Sequence, residues 1–85
     1  MMSDLVERAK QFLFGRQTAY RAVFNGPMSD VVLVDLAKFC RANESTHHPD
    51  PHVADMLAGR REVFLRIQQH LKLSSDDLWK LYQTK

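Results

Sequence analysis

DPHVADMLAGRREVFLRIQQHL, residues 50–71, decides the fold. It opens with Asp50-Pro51, a pair suited to a helix start. The carboxylate accepts from free backbone N–H groups, and proline has a preset φ at a position where its missing N–H costs nothing. Val53, Met56, Leu57, Val63, Phe64, Ile67 and Leu71 then recur at steps of three and four, so they share one face of a helix running to about Leu71. Such a face must be laid against other elements. Those are helices too, because no segment alternates apolar and polar residues long enough for a strand.

Arg60 interrupts this face. Counting turns from Val53 to Ile67 puts it inside the apolar stripe, where an unpaired guanidinium would be costly. Asp35, one turn from Val32 and Phe39 at the border of another apolar face, is a candidate partner. An Asp35–Arg60 ion pair would tie two helices together, with Gly59 allowing their backbones to approach closely. The plainer alternative lays the arginine stem along apolar surface and keeps its head in water. Either role is architectural.

Upstream of this helix, Glu44 to His48 contains no apolar residue and reads as a loop. Before it, Ser29 is expected to open a helix with Asp30 in its first turn. Val32, Leu33, Leu36, Phe39 and Cys40 form its apolar face, and it ends near Asn43. Further back, Ser3 is the expected cap of a first helix carrying Asp4 and Glu7 in its opening turn. Leu5, Val6, Ala9, Phe12, Leu13, Tyr20, Val23 and Phe24 form its stripe. Gly15 would loosen it, and Asn25-Gly26-Pro27 would stop it. Downstream, Leu73 and Ser74-Ser75 form a break. Ser74 with Asp77 makes a weak capping box, and Leu78, Trp79, Leu81 and Tyr82 form a short terminal helix. The expectation is one all-α domain over residues 1–85, a small bundle of three to four helices.

A chain of 85 residues buries only about 60 % of its unfolded surface, so marginal stability is expected. With 45 % hydrophobic and 26 % charged residues, the composition is that of a folded protein rather than a disordered tail. The single cysteine, Cys40, excludes an intrachain disulfide. Asp4 precedes any apolar run, unlike in a signal peptide. The longest apolar run, Val31 to Val34, is far short of the ~20 residues of a membrane helix, so a soluble protein without membrane insertion is expected.

Chemistry-bearing clusters are few. His47, His48 and His52 with Asp50 resemble metal ligands, but an adjacent histidine pair split from the third by two prolines fits no usual zinc spacing. Asp50 as a cap explains the same letters. Cys40, on an apolar face, reads as a buried inert thiol. No glycine-rich phosphate loop, paired carboxylates or Ser-His-Asp arrangement is present, so neither an enzyme nor a cofactor is expected. The formal charge of +2 is mild for a nucleic-acid binder, and the longest basic run is Arg60-Arg61. Arg16, Arg21, Arg61 and Arg66 would contact DNA phosphates if the first and third helices were neighbours, although Asp55 and Glu62 would dilute that face. Phe14, off the main stripe, and Trp79 with Tyr82 near the chain end are candidate anchors for a protein partner. Wrapping of the core or self-association would use the same residues.

Several pieces recur in order along this chain: Tyr20-Arg21-x-Val23-Phe24, Val34-Asp35-Leu36 with Phe39-Cys40, and Asp50-Pro51. After them come Gly59-Arg60-Arg61, Val63-Phe64-Leu65-Arg66-Ile67 and Leu71. Over residues 20–73 they resemble a family of small tailed-phage proteins, the Bbp-type phage domain, typified by a Bordetella phage product encoded beside the portal gene. The resemblance implies an accessory component of the virion or its assembly, found in the virion or the host cytoplasm. Its partners would be the portal, a connector, internal or ejected virion proteins, or further copies of itself. It carries over no catalytic residue. Two other function classes remain: a nucleic-acid-binding accessory factor, and a small phage inhibitor of a host enzyme.

Overall fold

Four helices organise residues 2–83, the part of the chain described by the computed structural model: α1 (Met2–Val23), α2 (Pro27–Phe39), α3 (Pro51–Lys72) and α4 (Ser75–Gln83). No strand occurs among the described residues, and the fold is an all-α small bundle. None of these helices is long and apolar enough to cross a membrane.

Short-range chemistry sets most boundaries. Asp50 caps α3 as expected: its Oδ1 accepts from the backbone N–H of His52 at 2.9 Å, with Pro51 in the first helical position. Ser74 Oγ accepts from the N–H of Asp77 at 3.1 Å and so starts α4. α2 begins at Pro27, two residues before Ser29. Gly26 stands at φ 151°, a backbone that side chains disfavour, and Ser29 reaches back to its carbonyl through Oγ at 2.6 Å and N–H at 3.1 Å. Ser3 lies inside α1 and not at its cap, and α1 runs unbroken through Gly15.

α2 stops at Phe39, short of the expected Asn43. Arg41 adopts φ 52°, its N–H bonds the Lys38 carbonyl at 3.2 Å, and the Ala42 N–H bonds the Ala37 carbonyl at 2.9 Å. This is the paired six-to-one and five-to-two closure that ends helices, built here on arginine instead of the usual glycine. Local sequence hides the stop because no glycine marks it.

α3 lies in the middle, with α1 against one side and α2 against another, while α4 folds back onto α1. The body measures 50 × 34 × 15 Å. The molecule is flat, its shortest dimension less than a third of its longest. That thinness limits the core, which among the described residues consists of Leu13, Cys40, Leu57, Phe64 and Leu78. Several stripe residues expected inside are instead exposed: Phe12, Val32, Phe39, Met56 and Val63. Each helix has an apolar arc wider than the narrow seam its neighbour can cover.

The expected Asp35–Arg60 ion pair is not made. Asp35 is exposed, and the Arg60 guanidinium lies over the Phe39 ring, 4.3 Å from its centroid. Arg60 is only half-buried, so its charge keeps access to water and takes an aromatic face in place of a carboxylate. Gly59 does not mediate a close backbone approach either. A Cβ built there meets nothing within 4 Å, and its φ is not in the left-handed region. Gly59→Ala is therefore expected to stabilise the chain by roughly 1 kcal/mol through helix propensity alone, read as a higher urea midpoint.

Candidate functional site

Two regions are distinctive: a polar knot where α1, α3 and α4 meet, and an uncovered apolar face on α2. The knot centres on His70, in the last turn of α3 and fully buried. Its ring stacks on Tyr20 of α1 (centroids 4.3 Å apart, planes at 21°) and meets Tyr82 of α4 edge-on at 6.0 Å. Arg16 donates through Nε to His70 Nε2 at 3.1 Å, and its guanidinium also covers the Tyr82 ring at 4.9 Å.

This geometry fixes the imidazole tautomer. A guanidinium N–H can only donate, so Nε2 must hold a lone pair, and the proton sits on Nδ1, which donates to the Arg66 carbonyl at 2.7 Å. Burial, above all, pushes the His70 pKa down. The Arg66 carbonyl opposes that shift, and the cations of Arg16 and Arg66 add to it.

Around the histidine, α1 satisfies the frayed end of α3. Gln17, almost fully buried, donates to the Leu73 carbonyl at 2.8 Å and accepts from the Ser75 hydroxyl at 2.9 Å. Arg21 donates to the carbonyls of His70 (3.3 Å) and Leu73 (2.8 Å). The last carbonyls of a helix have no intrahelical partner, and here a neighbouring helix supplies one. Chemically the knot is a clasp: Arg16, Gln17, Arg21 and His70 are engaged across the helices, while Arg66 and Tyr82 at its edge also line an open pocket with Glu62 and Gln69.

A pH effect follows. An unfolded chain protonates histidine near its ordinary pKa of about 6.5, whereas folded His70 does so only at lower pH. Above about pH 6.5 both states are neutral and His70 contributes no pH dependence. Below it the unfolded state binds the extra proton, so stability falls until the folded-state pKa is reached. Urea midpoints at about pH 7.5 and about pH 5.5 are expected to differ in that direction.

The second region is the outer face of α2, which has no buried residue at all. Met28 (72 % exposed), Val31 (63 %), Val32 (49 %) and Phe39 (58 %) follow one another at helical spacing, with Asp35 among them. α2 meets α3 along its other side and through Phe39, whose ring lies under Arg60, leaving an open groove lined by Leu33, Val34, Ala37, Phe64 and Leu71.

The sequence-derived candidates distribute unevenly over these regions. Arg16, Arg21 and Arg66 do converge on the His70 knot, but donors of Arg16 and Arg21 are turned inward onto it. The Tyr20 phenol favours the charged form of Arg66, whose side chain is exposed. Arg61 sits roughly 140° round α3 from Arg66, with its Nε buried and unpaired, so the four arginines do not form one phosphate-facing surface. Phe14, Trp79 and Tyr82 are half-buried. Trp79 lies beneath Lys10 (5.6 Å), and Tyr82 is part of the knot, so these two close α4 onto the body. His48 accepts from the Asp50 N–H through Nδ1 at 3.0 Å, and the Ser45 hydroxyl accepts from the His47 N–H, so these residues shape the turn into α3. Among the described residues no three His, Cys, Asp or Glu gather as metal ligands, and Cys40 is buried as a free thiol.

Sequence reasoning missed His70 and Gln17. The detectable signal was positional: a histidine in the last turn of a helix, where its ring can reach back to a carbonyl four residues earlier.

One family model, described as Bbp19-like phage protein, matches residues 20–83. The match runs from the last turn of α1 through α4, beyond residue 73 where the short motifs stop. No curated protein and no solved structure matches the chain.

Proposed function

This chain belongs to the Bbp19-like phage protein family, and we propose that it serves as a non-enzymatic component of the virion or of virion assembly. It acts through protein–protein contacts with the portal, a connector, an internal or ejected virion protein, or its own copies. The observation that carries this reading is the outer face of α2, a row of large apolar side chains that stay about half or more exposed, with only Phe39 partly covered by the Arg60 guanidinium. Contiguous apolar exposure of this kind marks interaction surfaces. The polar knot supports the same reading, because it spends its titratable and cationic groups on holding helices together. The nucleic-acid alternative is weaker for that reason: two of the arginines it needs are engaged with α3.

The test is mass spectrometry of purified particles, with cross-linking before disruption. The expected result is the chain present in virions and cross-linked to a head or connector protein. A chain made early in infection and missing from particles would replace this reading with a host-directed inhibitor. Salt-sensitive binding of duplex or single-stranded DNA in an anisotropy titration would favour the nucleic-acid reading.

A further inference from the structure

We propose that His70 is an acid-operated latch for α4: a proton arriving at its Nε2 undocks the terminal helix as a unit, while α2 and α3 stay packed.

The imidazole has no place for a second proton. Fully buried, it makes one hydrogen bond through each nitrogen: Nε2 accepts from Arg16 Nε at 3.1 Å, and Nδ1 donates to the Arg66 carbonyl at 2.7 Å. A proton at Nε2 sets donor against donor, because a guanidinium has no acceptor to offer. Charge compounds the mismatch. From α1 the ring faces the Arg16 guanidinium and the Tyr20 ring, and Arg21 is bound to the His70 carbonyl. From α3 it faces Arg66, and from α4 it faces Tyr82. None of these groups is a carboxylate, and both phenols stay neutral in acid. The Arg66 carbonyl and the stacked Tyr20 ring favour an imidazolium, whereas burial and two guanidinium groups oppose it.

The mismatch is passed to α4 because Arg16 serves both partners. The guanidinium that bonds His70 also covers the Tyr82 ring at 4.9 Å, and Tyr82 meets the imidazole edge-on. Turning Arg16 away from a protonated ring strips that cover from α4. Leu78, the bond from Ser75 to Gln17 and the Lys10–Trp79 contact are then left to hold a helix of 9 residues, too short to persist alone. Segments with so few buried contacts open before the rest of a fold. The α2–α3 contact lies on another side of α3: Phe64, which lines the groove with α2, is roughly 120° round the helix from His70. Acid sensitivity is thereby concentrated in one helix. Undocked, α4 bares Leu78 and Tyr82, an apolar surface that the chain shows only in acid.

Hydrogen exchange read by mass spectrometry at about pH 7.5 and about pH 5, corrected for intrinsic exchange rates, tests this. With an ordinary histidine pKa of about 6.5 in the undocked state, acid can raise the α4 opening equilibrium by at most about thirtyfold. A severalfold or larger loss of α4 protection is expected, with peptides around Leu57 in α3 unchanged. Equal losses in both regions, or none in α4, overturn the proposal. His70→Phe should make α4 protection independent of pH over this range. Arg16→Gln supplies an amide oxygen that accepts from a protonated Nε2, so the acid response should shrink even though α4 is held less tightly at both pH values. An undiminished response in either variant overturns the latch. Should a variant fail to fold, the comparison of α4 with α3 in the unaltered chain decides. Detection in particles is independent of these outcomes, so the proposed function and the latch can fail separately.

Discussion

Truncating Leu78 to alanine is expected to cost about 3 kcal/mol, within the usual range for a buried leucine. Leu78 is fully buried and is the one buried residue of α4, a helix of 9 residues. A helix this short is not stable in water by itself, so its attachment depends on that side chain and on the hydrogen bonds around Gln17 and Ser75. Each kcal/mol moves the melting temperature of a domain this size by about 4–8 °C, so a loss this large should be evident in a thermal scan. Trp79, the chain's single tryptophan, is next to Leu78. Its emission should shift to the red as α4 detaches, at lower urea than the loss of helical signal from α1 and α3. Coincident transitions at the unaltered midpoint would show that α4 is held by something else.

His70→Ala is expected to be of similar size, about 3 kcal/mol, but for a different reason. It removes the acceptor that Arg16 Nε uses and the ring on which Tyr20 stacks, and it opens a void between three helices. His70→Phe separates these contributions. It restores most of the volume and the stack, while leaving Arg16 Nε without its acceptor. Urea denaturation at neutral pH should place His70→Phe between the unaltered chain and His70→Ala. Both variants should lose the component of destabilisation below about pH 6.5 that comes from the buried imidazole. A pH profile that survives either substitution would assign that acid sensitivity to other groups.

Local signals carried far in this sequence, and the reason is physical. Asp50-Pro51, Ser74 with Asp77, and Gly26-Pro27 act within one turn of chain, so their geometry is readable without knowing what packs where. The end of α2 was not readable, because Arg41 takes a conformation that composition assigns to glycine. The Asp35–Arg60 pair failed for a longer-range reason: Asp35 stays exposed on α2, and it is the ring of Phe39 that reaches the guanidinium.

The knot was hidden because α3 is sandwiched. A single apolar stripe was sought, and Leu57 and Phe64 do lie on it. His70 lies roughly 120° round the helix from Phe64, on a second contact face that is polar and turned toward α1. A periodicity search for apolar residues passes over such a face. The same one-stripe habit made Phe12, Phe39 and Val63 look like core residues and left Gln17 unnoticed.

A body only 15 Å thick has a calorimetric signature. Heat capacity increments and denaturant slopes both scale with the surface newly wetted on unfolding. A compact domain of this length would show an increment of roughly 1.0–1.3 kcal/mol/K. The isolated plate starts with much of its hydrocarbon already hydrated, so its increment and its urea slope should fall below those of a rounder chain. Its free energy should then vary gently with temperature, without the pronounced dome of a well-filled interior, until another molecule dries its broad sides.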